Sequence, residues 1–297
     1  MPTWMDRIRT GETLLLDGAW GTQLQARGLP GNCPDAWNLT HAGVVVEVAA
    51  AYVAAGSQAI LTNTFNANRI ALAAHGLTEK AATLSRAGAE LSRQAAGKDV
   101  LVFGSIGPSG KMLMMGDIHA DALQAAFTEQ ATALAEGGVD ALIIETMTDL
   151  EEALLALRAA KATGLPVAVS MVFDCGGRSM MGVAPQDFGK QAVQEGADII
   201  GANCGQGLEA FPGLCAALHT AGGGAPVWAK PNAGLPQVRN GKPHWDMSPQ
   251  AFAGGTGALR AAGAVLIGGC CGTTPEHIQA LRRVLETRQP IDLPDHG

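Results

Sequence analysis

Short apolar runs recur eight times along the chain, and each run ends at a polar or glycine-rich turn. The segments between them are rich in Ala, Leu and Glu, and residues 121–136 show apolar side chains at steps of three and four, as a helix requires. Strands that alternate with helices predict βαβ units and a parallel sheet. The predicted strands are Thr13–Leu16, Gln58–Leu61, Val100–Gly104, Ala141–Ile144, Val167–Met171, Ile199–Ala202, Val227–Ala229 and Val265–Gly268.

Eight such units in 297 residues fit a single-domain α/β fold, the closed (β/α)8 or TIM barrel, whose usual size is about 250 residues. Polar side chains follow all eight predicted strands, at the end where barrel enzymes build their sites. An open doubly wound sheet would hold ligands only near a switch point, so the pattern favours closure. We predict a barrel over residues 1–288 and a loose carboxyl-terminal tail over residues 289–297.

Composition excludes several classes of partner. The net charge of −7 is spread along the chain without a basic block, which argues against nucleic acid and anionic membranes. The amino terminus has no signal-peptide pattern, and no apolar run approaches about 18 residues. We therefore expect a cytoplasmic protein with no membrane association; the sequence leaves an oligomer open. In that compartment thiols stay reduced, so the six cysteines are not expected to form a disulfide framework.

Three cysteines follow predicted strands. Cys270 and Cys271 are adjacent in GGCCGTTPEH, and Cys204 lies in GANCGQG. Neighbouring glycines permit the distorted turn that two adjacent ligands need, and a helix predicted to begin at Pro275 would place its positive end near the thiolates. Three thiolates from two strand ends can hold a zinc ion with its fourth position open, which is typical of catalytic zinc. The alternatives are buried apolar thiols or a vicinal disulfide.

The other three cysteines are given smaller roles. Cys215 is predicted in the core and Cys33 in a loop, while Cys175 follows the fifth strand and could approach the site.

Two carboxylates also follow apolar strands. Asp17 lies in LLLDGAWGT and Glu145 in LIIETMTD, so both are predicted to face one cavity, where they could hold a substrate ammonium group. The backbone amides of Gly18 and Ala19 could take a carboxylate. Together these groups describe a binding site for an amino acid backbone. The alternative is that each acid caps the following helix.

The motifs that carry these residues resemble those of the zinc-dependent homocysteine S-methyltransferases. The match runs from Leu15 to Ile278 and is closest to the homocysteine-binding barrel of cobalamin-dependent methionine synthase; betaine–homocysteine methyltransferase is a more distant relative. The matching segments are LLDGAWGTQL, ILTNTFNAN, IGPSGK, IIETMTDLEEA, FDCGGRSMMG, GANCGQG, KPNAGLP and GGCCGTTPEHI.

The resemblance implies a role for each matching residue. It makes Cys204, Cys270 and Cys271 the zinc ligands and catalytic centre, and it assigns Asp17 and Glu145 to the homocysteine ammonium group. Gly18 and Ala19 would lie near the homocysteine carboxylate, and Asn203 would orient the site. Thr64 and Asn232 fall in matching motifs and are expected near the substrate.

The implied activity is methyl transfer to the thiolate of L-homocysteine, which gives methionine. Three thiolate ligands keep zinc electron-rich, which suits alkyl transfer better than hydrolysis.

The methyl donor stays open between two alternatives. In one, the chain is a homocysteine-activating subunit that works only with a separate methyl-corrinoid protein. In the other, it takes methyl directly from betaine or another onium compound, for which Trp20 and Trp37 are candidate aromatic walls, although Trp37 is also a candidate packing anchor. Asn66 stands where the betaine enzymes carry tyrosine, which weakens the betaine interpretation.

Overall fold

Eight parallel strands surround a common core and confirm the predicted barrel. The computed structural model describes residues 2–28, 33–174, 176–239 and 242–287, with the backbone alone at residues 242 and 243. The strands are β1 (Leu14–Leu15), β2 (Ala59–Leu61), β3 (Leu101–Ile106), β4 (Ala141–Met147), β5 (Val167–Met171), β6 (Ile199–Cys204), β7 (Val227–Pro231) and, after an antiparallel hairpin of β8 (Gln237–Arg239) and β9 (Lys242–His244), β10 (Ala264–Ile267).

The strands are hydrogen-bonded in the order β1-β10-β7-β6-β5-β4-β3-β2, and every barrel pair is parallel. The seam between β1 and β2 is closed in part by side chains. The Gln58 backbone amide donates to Leu15 O at 2.7 Å, and the Leu15 amide donates to the side-chain Oε1 of Gln58 at 2.9 Å. The Leu61 backbone amide donates to Asp17 Oδ2 at 2.7 Å. A carboxylate at the end of β1 therefore helps to close the barrel.

Helices cover the outside of the barrel, as the alternating pattern predicts. The observed helix Ala120–Glu136 matches the helical pattern of residues 121–136 within one residue, and the last helix begins at Pro275 as predicted. The predicted tail falls within residues 288–297, which lie outside the described part. The helices are α1 (Trp4–Arg9), α2 (Trp20–Ala26), α3 (Trp37–Thr40), α4 (Ala42–Ala55), α5 (Arg69–Ala73), α6 (Ala81–Ala96), α7 (Ala120–Glu136), α8 (Leu150–Lys161), α9 (Pro185–Gln194), α10 (Phe211–Ala221), α11 (Pro249–Gly254), α12 (Thr256–Ala261) and α13 (Pro275–Thr287).

Alternate side chains along each strand build two apolar layers, because neighbouring strand residues point to opposite faces. Inward-facing residues such as Phe103 and Trp228 fill the barrel and stack with ring centroids 5.9 Å apart. Trp4 of α1 packs on Phe103 at 5.3 Å and closes the amino end of the barrel. Outward-facing residues such as Val102 pack against the helices. Because α1 covers the amino end of the barrel interior, that interior is reached from the carboxyl ends of the strands.

No single helix in the described residues has the length and apolar composition needed to cross a membrane. One bent pair, Pro34–Thr40 with Ala42–Ala55, meets those two criteria only when its parts are taken together across a 113° bend.

Candidate metal and substrate site

The three predicted cysteines lie together at the carboxyl end of the barrel. Their sulfur atoms are all within 4.8 Å of one another, with Cys204 Sγ 2.7 Å from Cys270 Sγ and 3.9 Å from Cys271 Sγ. All three are free thiols, so the vicinal disulfide is not formed. Cys215 is buried in α10, away from this cluster, and Cys33 is half-buried in a loop, as predicted; Cys175 lies outside the described residues.

The backbone of Cys270 and Cys271 is hydrogen-bonded to the end of β7. The Cys270 amide donates to Pro231 O at 2.8 Å, and Cys271 O accepts the Ala233 amide at 3.0 Å, so both are anchored to the end of β7. Cys204 has a left-handed φ of 59°, which turns its side chain away from the regular strand direction. That conformation costs a non-glycine residue about 1–3 kcal/mol and persists only where the surroundings enforce it.

The sulfur atoms suit a thiophilic metal ion such as zinc. Thiolate ligands lie about 2.3 Å from zinc, which sets tetrahedral sulfurs about 3.8 Å apart. The 3.9 Å between Cys204 and Cys271 matches that spacing, whereas Cys204 and Cys270 would have to separate by about 1 Å. Hydrogen bonds from Cys204 and Cys270 lower the pKa of Cys271, which favours its thiolate form. A metal ion would displace the remaining thiol protons.

Asn203 connects this cluster to the end of β4. Its Oδ1 accepts the Thr146 amide at 2.9 Å and the Ser170 hydroxyl at 2.7 Å, and its Nδ2 donates to Thr146 Oγ1 at 2.7 Å. Thr146 has a φ of 62°, so Thr146 and Cys204 are the two non-glycine residues with positive φ in the described chain. Asn203 therefore holds the strained Thr146 directly and precedes the strained Cys204 in the chain.

A buried ion pair lies beneath the cluster. Lys230 Nζ is 2.5 Å from Asp17 Oδ1, and the two side chains are 2% and 0% exposed. Asp17 Oδ2 accepts Trp20 Nε1 and the Leu61 amide, each at 2.7 Å. Burial opposes the charge on Lys230, but the negative charges of Asp17 and Glu145 outweigh it and raise the pKa of this lysine. Both carboxylate oxygens of Asp17 therefore have partners within the protein.

Glu145 differs from Asp17 because it faces the cavity and has no cation within salt-bridge distance in the described residues. Ser105 Oγ donates to Glu145 Oε1 at 2.5 Å. Burial raises the pKa of Glu145 to about 7, against the favourable charge of Lys230. A buried acid that titrates near neutrality and lacks its own cation is a candidate for binding a positively charged group.

The cluster opens into a cavity of about 440 Å³, a size common for small-molecule sites. Its wall includes all three cysteines, Glu145 and Lys230, and it carries three aromatic side chains, Trp20, Phe65 and Trp245. Trp245 packs against Gly272, where a Cβ atom would lie 2.3 Å from the indole Cγ. The glycine after Cys271 thus makes room for the tryptophan.

A larger cavity of about 620 Å³ lies at the opposite end of the barrel, among residues that precede the strands, such as Thr13 and Pro226. It contains none of the cysteines or buried acids described above. The smaller cavity is the candidate site, because it is lined by the three thiols, by Glu145, which has no ion-pair partner in the described protein, and by aromatic side chains.

Comparison with known proteins agrees with this geometry. A family model described as homocysteine S-methyltransferase matches residues 14–285, which include all eight barrel strands. The chain belongs to the homocysteine S-methyltransferase family. Its three clustered cysteines could hold a metal ion.

Relatives in sequence and structure support the assignment. The methionine synthases of Mycobacterium tuberculosis and Mycobacterium leprae are each 32% identical, over 89% and 94% of this chain, and the chain spans 24% of the length of each. The metallated form of homocysteine methyltransferase MmuM from Escherichia coli is 28% identical, with a TM-score of 0.77 over 94% of this chain and 99% of that one.

The residues predicted to bind substrate divide into two groups. Gly18, Ala19 and Glu145 line the cavity. The Ala19 amide donates to Thr273 Oγ1 at 3.1 Å, whereas no partner for the Gly18 amide is found in the described chain. The other four lie behind the wall, where each bonds to the protein: Asp17, Thr64, Asn203 and Asn232.

Sequence reasoning missed several residues that build the site. Lys230 directly follows a predicted strand, in the segment KPNAG, and this position indicates that it lies near the site. Its ion pair with Asp17 has no signal in the sequence. Ser105 and Ser170 are single hydroxyls inside apolar strands, and that polar interruption is a signal that could have identified them. Trp245 comes from a long connection without any sequence signal. Of the two predicted aromatic walls, Trp20 lines the cavity, whereas Trp37 is buried in the apolar core.

We expect Lys230→Met to lower the free energy of unfolding by about 3–5 kcal/mol, because it leaves Asp17 buried without its cation. The double variant Lys230→Met with Asp17→Asn should recover part of this loss. Urea unfolding of the metal-free protein measures both effects.

Arg158→Met is the matched control for this experiment, because it removes an exposed ion pair with Glu195 and should cost less than about 1 kcal/mol. An equal loss in the Arg158 and Lys230 variants would contradict the importance of the buried pair.

Proposed function

We propose that this protein transfers a methyl group to the thiolate of L-homocysteine and so forms methionine, with zinc held by Cys204, Cys270 and Cys271. The observation that carries the proposal is the convergence of three free thiols with Glu145 on one cavity. Family membership supports the same substrate and reaction. Three thiols that must stay reduced also support a cytoplasmic location.

The donor set favours alkyl transfer. Zinc bound there would supply the Lewis acidity that keeps the homocysteine sulfur in its nucleophilic thiolate form near neutral pH. Hydrolytic zinc sites generally use histidine or carboxylate ligands. Among the described residues that surround the sulfur atoms, Glu145 is engaged by Ser105 and no histidine lines the cavity.

Glu145 and Gly18 are the proposed contacts for the amino acid part of homocysteine. Glu145 faces the cavity with a carboxylate that no protein cation neutralises, which supports a contact with the substrate ammonium group. The Gly18 amide is available for the substrate carboxylate. Asp17 lies behind the wall, so its proposed part is to hold Lys230 in place; the proposed roles of Asn203, Thr64 and Asn232 are likewise to position the loops that line the cavity.

A small onium compound is the methyl donor that the cavity wall supports best. Trp20, Phe65 and Trp245 account for three of the 13 aromatic residues in the chain, and all three line this cavity. Aromatic faces attract onium cations, and each such contact contributes about 0.5–2 kcal/mol. The sulfur–methyl or nitrogen–methyl bond of the donor breaks, its electron pair leaves with the neutral donor, and a new carbon–sulfur bond forms to homocysteine.

A separate methyl-corrinoid protein is a second candidate donor, and the exposed apolar residues of the same face favour it. In the described chain, the large apolar side chains with 42% to 80% exposure lie in the segments that connect β1 to α4, β3 to α7, β5 to α9 and β7 to α11. These segments follow the carboxyl ends of the strands, on the face that carries the cavity. Such an exposed apolar rim is typical of a protein-binding surface. These residues are Leu39, Met112, Met114, Met115, Met180, Leu235 and Val238.

We expect Cys271→Ser to abolish stoichiometric zinc binding and methionine formation while the far-ultraviolet circular dichroism stays unchanged. Serine keeps the size of the side chain but removes the thiolate ligand. Cys33→Ser is the matched control, because Cys33 is also a half-buried free thiol but lies outside the cluster.

Methionine formation should be assayed with homocysteine and a panel of betaine, trimethylsulfonium, S-methylmethionine and methylcobalamin. Turnover with an onium compound supports direct transfer, whereas turnover with methylcobalamin alone supports the corrinoid partner. Full activity of Cys271→Ser, or no methionine from any donor, would contradict the proposed function.

The affinity for the product methionine should increase as the pH rises through about 7, because Glu145 must lose its proton to attract the methionine ammonium group. Methionine has no thiol that titrates in this range, so the change reports on the protein. Calorimetric titration between about pH 5.5 and pH 8 should show this step in the wild type and a flat, weaker response in Glu145→Gln. The same pH step in both proteins would exclude Glu145 as its source.

A further inference from the structure

Asp35 is a buried carboxylate in the cavity wall that has no part in the metal cluster or the proposed homocysteine contacts. It lies in the short 3₁₀ turn Pro34–Ala36, which follows α2, and it is 1% exposed. Its Oδ1 accepts the Asn66 amide at 3.0 Å. Its Oδ2 has no hydrogen-bond partner among the described residues. One oxygen of this acid is therefore left for a ligand.

The protein supplies no free cation to this part of the cavity. In the described wall, Lys230 is the one cationic side chain, and it is paired with Asp17. No described salt bridge includes Asp35. Burial raises the pKa of Asp35 to about 6, so the group is still largely ionised at neutral pH. A buried carboxylate without a cation is costly, and a cationic ligand would relieve that cost.

Asp35 lies on a different side of the barrel from the sulfur atom of Cys204. The Asp35 wall is built by segments that follow β1 and β2, and it includes the aromatic ring of Phe65. Cys204 ends β6, which stands four places from β2 around the ring of strands. A molecule that contacts both Asp35 and the aromatic rings of this wall would therefore lie across the cavity from Cys204.

We propose that Asp35 is the residue that binds the positive charge of the methyl donor, and that the donor is a small sulfonium or quaternary ammonium compound. Its carboxylate attracts the cation from the β1 and β2 side, and the rings of Trp20, Phe65 and Trp245 surround the methyl groups. The inference rests on the proposed function. It adds a donor-binding residue that selects cationic over neutral molecules.

Binding of trimethylsulfonium to the zinc-loaded protein, measured by calorimetry without homocysteine, tests this inference in the absence of turnover. Asp35→Asn keeps the acceptor for the Asn66 amide and removes the charge. It should weaken trimethylsulfonium binding at least about tenfold, with zinc content and the melting temperature unchanged. Asp149→Asn is the matched control, since Asp149 follows β4 on the same face, caps α8 and lies outside the cavity wall.

A second measurement uses only the wild-type protein, so it tests the inference even if the Asp35→Asn variant misfolds. Trimethylsulfonium should bind at least about tenfold more tightly than the neutral, similarly sized tert-butyl alcohol. Equal binding of the two molecules, or equal trimethylsulfonium affinity in Asp35→Asn and the wild type, overturns the inference. A loss of zinc and of melting temperature in Asp35→Asn, with no preference of the wild type for the cation, also overturns it and assigns Asp35 to loop structure.

The outcomes separate this inference from the proposed function. Methionine formation from methylcobalamin, with no binding of trimethylsulfonium, leaves the function in place and removes the role of Asp35. Binding of trimethylsulfonium that depends on Asp35, with no methionine from any donor, retains the cation site and removes the proposed function.

Discussion

The buried ion pair between Lys230 and Asp17 is the interaction on which the site depends. It joins the ends of β7 and β1, and the second carboxylate oxygen of Asp17 reaches the Leu61 amide on β2. One side chain thus helps to close the barrel and neutralises the cation beneath the thiols. Because Asp17 satisfies Lys230, Glu145 can face the cavity without a protein cation of its own. The structural closure of the barrel and the charge of the cavity are therefore linked.

Backbone strain has a comparable role on the other side of the cavity. Cys204 and Thr146 both hold left-handed conformations, and the side chain of Asn203 bonds to Thr146 between them. In a regular strand, the direction of the Cys204 side chain would be fixed by the alternation of residues along β6 and not by the position of Cys270. The turn at Cys204 instead brings its sulfur within 2.7 Å of the Cys270 sulfur. Conformational cost at two residues is offset by a set of buried hydrogen bonds.

The architecture and the metal cluster could be predicted from the sequence because both leave local signals. Eight apolar runs separated by helical segments indicate the barrel, and cysteines that follow two of those runs must meet at one end of it. The carboxyl ends of β3, β4 and β6 extend past their apolar runs, to Ile106, Met147 and Cys204. In these three strands the hydrogen bonding between backbones continues through polar residues, so the end of the apolar run does not mark the end of the strand.

The partners of the site residues could not be predicted in the same way. Asp17 and Glu145 look alike in sequence, since each follows an apolar strand, yet one is paired with Lys230 and the other faces the cavity. That difference arises because the long side chain of Lys230 extends from β7 to Asp17 and pairs with it. Asp35 and Trp245 come from irregular connections, whose packing against the cavity is set by tertiary contacts. Such contacts join residues far apart in the chain and have no periodic pattern.

Zinc-edge X-ray absorption of the metal-loaded protein, with selenohomocysteine as the probe, reports the ligands of the proposed metal centre. We expect sulfur scatterers from Cys204, Cys270 and Cys271 in the protein alone, and a new selenium scatterer at bonding distance from zinc after the probe is added. A metal environment without three sulfur ligands, or a spectrum that selenohomocysteine leaves unchanged, would contradict the claim that this cluster activates the substrate sulfur.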